Sequence, residues 1–115
     1  MAGQYKFTLE KYASFTVPIV WYQSDGVTPV NITGWTAKLE VKDYTHALLI
    51  VTFTTADGSI TLGGTNGTIT LNMSATATGA LQAGYWDYDL VLTGTTQSVR
   101  LLEGAFEILE AVTDG

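Results

Sequence analysis

The residues best suited to chemistry are Asp87 and Asp89, in the run Trp86-Asp87-Tyr88-Asp89-Leu90. Two apart on a strand, they share one face at a spacing of about 7 Å. Paired carboxylates run glycoside hydrolysis or help to hold calcium. A retaining glycosidase needs its carboxyls about 5 Å apart, and calcium takes about six or more oxygens. The sequence supplies neither that spacing nor the further ligands, so the pair reads as the solvated side of a strand. His46, in Asp43-Tyr44-Thr45-His46-Ala47-Leu48-Leu49, is the only histidine. A general base needs an orienting partner, and zinc needs several ligands. His46 therefore reads as a surface or packing residue on a loop or bulge. The chain has no cysteine, which removes disulfides, thiolate zinc sites and cysteine nucleophiles together. The glycine-rich stretch at 63–67 is not followed by the lysine of a phosphate loop. The expectation is a non-enzyme with no catalytic residue, no metal site and no cofactor.

The aromatic residues divide by face. Trp21, Trp35, Trp86 and Tyr88 fall on inward faces and read as core. Tyr5, Tyr12, Tyr22, Tyr44 and Tyr85 suit a contact surface, because tyrosine brings area with a polar tip. Tyr12, Val20, Tyr22 and Tyr85 are the expected interface residues. Exposed aromatics on such a domain stack on sugars or pack against protein, and the sequence leaves both open.

The elements that position these residues follow from period-2 alternation, which puts alternate side chains on opposite faces of a strand. In residues 35–42, Trp35, Ala37, Leu39 and Val41 point one way and Thr36, Lys38, Glu40 and Lys42 the other. In residues 86–92, Trp86, Tyr88, Leu90 and Leu92 face in, while Tyr85, Asp87 and Asp89 face out. Leu102, Phe106 and Ile108 face in, with Glu103 and Glu107 outside. Phe15, Val17, Ile19 and Trp21 share a face, and so do Leu49, Val51 and Phe53. Shorter strands fall at Ile60–Leu62 and Ile69–Met73, and Tyr5, Phe7 and Leu9 suggest a first strand. Asp-Gly and Asn-Gly pairs mark the turns between them. Residues 74–84 lack alternation; Ser74 is suited to cap a helical turn, with Leu81 tucked into the core. The reading is all-β: an antiparallel β-sandwich, Ig-like or jelly-roll-like, with one short helical crossover near residues 74–82.

Length and charge set the rest. The chain has 115 residues, enough for one domain. That domain spans 1–115, with loose ends at 1–3 and 110–115; residues 1–30 read as strands or as an N-terminal arm reaching a neighbour. Charged residues make up 14%, against about 25% in an average globular protein. Threonine fills the gap with 19 copies. Such a surface tolerates contact with other protein surfaces, since it lacks the charges that keep sheet edges apart. The net charge is −6, and the five basic residues are scattered. Neither nucleic acid nor an anionic membrane is an expected partner. The N-terminus shows no signal-peptide core, so synthesis in a cytosol is expected.

Three stretches, taken together, resemble the N-terminal domain of tailed-phage baseplate upper proteins, a module also seen in short phage tail proteins. They are Asn31–Asp43, with its Thr-Gly-aromatic lead into an alternating strand; Ile69–Thr93, a strand, a crossover ending in Leu81, a Gly84-aromatic turn and a Tyr-Asp-Leu strand; and 99–113, a Leu-rich strand with a Glu103-Gly104 step. The match covers residues 31–113; residues 1–30 match less clearly. The resemblance implies a structural virion protein, made in the host cytoplasm and resident in the tail, baseplate or a fibre adaptor. Its partners would be copies of itself, as a ring or trimer, and other phage proteins. A capsid decoration protein is the alternative, and a carbohydrate-binding module, with a glycan as partner, the second. The long C-terminal part of a full baseplate protein has no counterpart here, so its receptor-binding role does not carry over. Asp89 is expected to accept bonds from nearby backbone or hydroxyl groups, and Gly104 to mark a bulge or a close backbone approach.

Overall fold

A computed structural model describes residues 3–110. Of the expected loose ends, residues 1–2 and 111–115 lie outside the described residues. In chain order the elements are β1 (Gly3–Gln4), β2 (Phe7–Glu10), β3 (Phe15–Val20), β4 (Thr36–Lys42), β5 (Leu49–Thr54), β6 (Ile60–Leu62), β7 (Thr68–Met73), α1 (Ala75–Gly79), β8 (Gly84–Thr93) and β9 (Ser98–Leu109).

They build two sheets. One is six-stranded in the order β1-β9-β8-β4-β5, with β2 also on β9; the other is three-stranded in the order β3-β7-β6. Labelling β3 onward as B, C, C′, D, E, F and G, the sheets read B-E-D and G-F-C-C′. That is the strand arrangement of an immunoglobulin-type sandwich, which settles the choice between Ig-like and jelly-roll-like. The expected antiparallel architecture holds except at the N-terminus, where β1 and β2 run parallel to β9. They keep one register, Gln4 beside Glu103 and Phe7 beside Phe106, so they act as one strand broken at Tyr5–Lys6. Within residues 3–20, β1 and β2 thus pair with β9, and β3 pairs with β7.

Without cysteine, the space between the sheets is filled by phenylalanine. Phe106 of β9 is fully buried and sits at the centre of a ring cluster. Its ring lies 5.7 Å from Phe7, 6.0 Å from Phe15, and 6.1 Å from both Phe53 and Tyr88, centre to centre. Leu39, Leu71, Leu90 and Ile69 close the remaining space. The three tryptophans face inward as expected but are only half-buried and pack on the core's margin. Trp35 precedes β4 and meets Trp21 edge to face at 5.7 Å. Trp86 folds over Gly84, and its indole N–H donates to the Gln82 carbonyl at 3.1 Å.

The crossover is α1. Ser74 caps it, accepting from the Ala77 amide at 3.2 Å, because the first turn of a helix leaves its N–H groups without partners. Thr78 is fully buried, and its hydroxyl donates to the Ala13 carbonyl at 2.9 Å, tying α1 to the turn between β2 and β3. Gly104 marks the expected close approach. Its φ is +149°, and a Cβ there would stand 2.6 Å from the Tyr5 carbonyl oxygen.

Two bulges change which face residues take. On β5 the pairs Val41–Val51 and Lys42–Leu49 leave Ile50 as an extra residue. On β9 the pairs Leu90–Leu102 and Val91–Arg100 leave Leu101 extra. Each inserted residue flips the alternation beyond it. Leu49, expected on the face of Val51 and Phe53, is therefore turned out and 49% exposed.

The turn after β3 is held by Asp25. Its carboxylate accepts from the Val27 amide at 2.8 Å, the Thr28 amide at 2.9 Å and the Thr28 hydroxyl at 2.6 Å. The Thr28 hydroxyl, then the two amides, hold its pKa down at about 2. A folded pKa below the unfolded value of about 3.9 means that the carboxylate steadies this turn above pH ~4 and releases it as pH falls through the folded value. Amide resonances of Val27 and Thr28 should therefore titrate with a midpoint near pH 2; a midpoint near pH ~4 would contradict this cage.

Candidate functional site

The outer face of the six-stranded sheet gathers most of the residues that bear on chemistry. Register places them. Glu40 of β4 lies opposite Asp89 of β8, which lies opposite Glu103 of β9. Lys42 lies opposite Asp87. Three acids in a row across neighbouring strands repel one another, and such pairs destabilise a sheet unless cations intervene. Here they do. Lys38 and Lys42 stand 3.6 Å and 3.8 Å from Glu40. The Arg100 guanidinium stands 3.4 Å from Asp89 and 3.8 Å from Glu103. The Gln4 amide donates to Glu103 at 2.9 Å. The bulge at Leu101 is what puts Arg100 and Glu103 on one face, since three residues apart on a regular strand they would point opposite ways.

His46 joins this face from the β4–β5 hairpin. It adopts φ +61°, and its Nε2 lies 3.2 Å from the Asp87 carboxylate. Together these side chains border a shallow depression of about 400 Å³. Asp87 and Asp89 do face outward as read from the alternation. They engage different partners, however: Asp87 meets the His46 ring and Asp89 meets the Arg100 guanidinium. Asp89 was expected to meet hydroxyl or backbone donors; its carboxylate meets the Arg100 guanidinium instead. Among the described residues no set of three or more His, Asp or Glu side chains is arranged to hold a metal ion. All the pairs are one-third to two-thirds open to water at one partner or both, so each contributes under about 1 kcal/mol. The face is a lattice of mutually neutralised charges.

The side chain buried nearest this face is Tyr88. Its hydroxyl donates to the Tyr5 carbonyl at 2.7 Å, and burial pushes its pKa well above the ordinary phenol range. It links β8 to the first strand and is structural.

The residues expected to form an interface do not form one patch. Tyr12 adopts φ +65° and lays its ring against Gly79 of α1, half-buried. Val20, at the end of β3, and Tyr22 just beyond it are 39% and 46% exposed on the side of the three-stranded sheet. Tyr85 is 62% exposed on the six-stranded sheet, with Lys6 Nζ 5.2 Å from its ring centre. A different apolar group stands out. Tyr44, Leu48 and Leu49, on the β4–β5 hairpin, are 84%, 52% and 49% exposed. Tyr44 was among the tyrosines read as suited to a contact surface; the exposure of Leu48 and Leu49 was not legible, because a bulge leaves no mark on an apolar run.

No protein-family model matches the chain. No curated protein matches it either. Among solved structures, the extracellular domain of the voltage-gated sodium channel beta4 subunit, whose parallel homodimers explain its role in cell-cell adhesion, is 11% identical with a TM-score of 0.49, over 97% of this chain and 96% of that one. A second, from a study of multimeric cell-adhesive interactions of sodium channel beta subunits, is 10% identical with a TM-score of 0.48, over 96% of this chain and 93% of that one. These are adhesion domains, not virion proteins. The expected virion role, in a tail, baseplate, fibre adaptor or capsid decoration, is corrected accordingly, and phage partners are not supported.

Proposed function

We propose that this chain is a non-enzymatic contact domain that associates with copies of itself. The observation that carries the reading is the apolar tip of the β4–β5 hairpin: Tyr44, Leu48 and Leu49, large side chains turned to solvent on a chain with few charges. Clustered exposed apolar side chains mark contact sites more often than scattered ones do.

The tip is also held rigid. Asp43 accepts from the Thr45 hydroxyl at 2.8 Å, the Ala47 amide at 3.1 Å and the Leu48 amide at 3.3 Å. The Thr45 hydroxyl, with the Leu48 and Ala47 amides behind it, holds the Asp43 carboxyl below the usual carboxylate range. The His46 amide donates to the Asp43 carbonyl at 2.8 Å, and the His46 ring reaches Asp87. A loop already fixed in shape loses less conformational freedom on binding, and that favours association. The neutralised charge lattice beside it supports the same reading, since its carboxylates and cations already answer one another.

The test is a double variant, Leu48→Asp with Leu49→Asp, compared with the unmodified chain by light scattering over a dilution series. Both side chains are half in water already, so the fold is expected to hold. Self-association should weaken by about tenfold or more, as for loss of two apolar anchors. Equal association in both proteins would remove the tip from the contact.

A further inference from the structure

The four sheet edges are not alike. The β1–β2 edge is broken at Tyr5–Lys6 and carries Lys6 and Glu10. The β3 edge has Pro18 in its middle, and β6 is three residues long. Charges, prolines, bulges and short length are the usual guards against edge-to-edge pairing. β5 has no charge or proline and is six residues long; its bulge at Ile50 lies two residues before Thr52. From Leu48 to Ala56 the chain reads LLIVTFTTA, with no charge, no proline and no glycine.

Hydrogen-bond alternation shows what this edge offers. The Thr55 amide donates to the Ala37 carbonyl at 3.1 Å, and Thr54 lies opposite Lys38. In an antiparallel ladder every second residue bonds the same neighbour, so Phe53 and Val51 also bond β4. Thr52 and Thr54 point their N–H and C=O away from it. The Thr54 amide is taken by the Ser59 hydroxyl at 2.9 Å. The N–H and C=O of Thr52 are left facing out of the sheet.

We infer that β5 pairs antiparallel with β5 of a second copy, on a two-fold axis beside Thr52. This rests on the self-association proposed above and names its seam. Each Thr52 N–H then donates to the Thr52 carbonyl of the other copy, a reciprocal pair that only a two-fold arrangement gives. The two threonine side chains meet across the seam, a favourable cross-strand pairing. Charge permits a second copy along this line. Copies carrying −6 each repel where charged faces meet, and the Leu48–Ala56 contour carries none, Asp57 lying just beyond it. The nearest acid opposite Thr52 is Glu40, one strand further in. Across the seam, two Glu40 side chains stand three strand spacings apart, about 14 Å, beyond the screening length of about 8 Å at physiological salt. The Leu48–Leu49 end of each copy lies along the uncharged Thr54–Ala56 end of the other. The pairing closes on itself, because each copy spends the least guarded edge among its described strands and Ser59 ends the ladder at Thr54. The product is a dimer, in place of the ring or trimer expected from sequence.

Thr52→Pro tests the seam without touching the bonds to β4, since the amide it removes faces outward; proline is tolerated at such edge positions. Hydrogen exchange at the Thr52 amide of the unmodified chain, dilute against concentrated, gives a second readout that does not depend on the variant folding. The expected result is protection of Thr52 that appears only on concentration, and association weakened at least about tenfold by Thr52→Pro, as loss of two main-chain hydrogen bonds implies. Association with Thr52 still exchanging freely, unchanged by the proline, would overturn the seam and leave self-association standing. A chain that stays monomeric at every concentration would overturn both.

Discussion

Phe106→Ala should cost about 3–5 kcal/mol of folding stability, as for other fully buried aromatic side chains. The size follows from its position. Phe106 touches rings from β2, β3, β5 and β8, so it is the point where both sheets meet. Deleting it removes apolar area and leaves a cavity lined by rings that are themselves too large to close it. Ring pairs of this geometry add about 0.5–1.5 kcal/mol each beyond area. A domain of this size has a total stability of about 5–15 kcal/mol, so the variant should be close to unfolding at moderate denaturant. Urea titration followed by tryptophan fluorescence reads it directly. A loss under about 1 kcal/mol would mean that the sandwich does not centre on this residue.

Gly104→Ala should cost about 2–4 kcal/mol, from backbone strain and overpacking together. A Cβ at this position meets a carbonyl oxygen at 2.6 Å, and backbone cannot move aside as a flexible side chain can. The same oxygen accepts from the buried Tyr88 hydroxyl. If the first strand lifts to make room, Tyr88 loses its partner, and a buried hydroxyl without one is costly. The Tyr5 amide, which donates to the Glu103 carbonyl at 3.2 Å, reports the lifting. Its exchange should accelerate in the variant more than that of amides in β4 or β7. Unchanged stability with Tyr5 still protected would contradict the close packing of β1 on β9.

Much of this was legible because one face of each long strand is buried. Alternation in β4 and β8 separates Leu39, Val41, Tyr88 and Leu90 from Lys38, Glu40, Asp87 and Asp89, and the structure keeps that division. Ser74 and Gly104 were legible for local reasons: one is a capping residue before a short helix, the other a glycine inside an apolar strand. The parallel pairing of β1 and β2 with β9 was not legible. It joins residues about a hundred positions apart, and nothing local records which strand a chain end will meet. Depth was not legible either. Period-2 patterning gives the face of Trp35 and Trp86 but not their distance from the sandwich's rim, so the phenylalanines hold the centre instead.

The candidate site was half legible for the same reason. Asp87 and Asp89 could be seen to share a face. That Arg100, Glu103, Glu40 and His46 complete it depends on register and on the bulge at Leu101. The apolar tip waited on the bulge at Ile50, which turns Leu49 out of an otherwise regular run. Both bulges change which face the residues beyond them take, and alternation alone does not record that.

Sedimentation equilibrium of the unmodified chain, over a wide range of concentration, tests the central claim most directly. Reversible association that saturates at the mass of two copies is the predicted result. A single-copy mass at every concentration would contradict the account of this domain as one that binds itself.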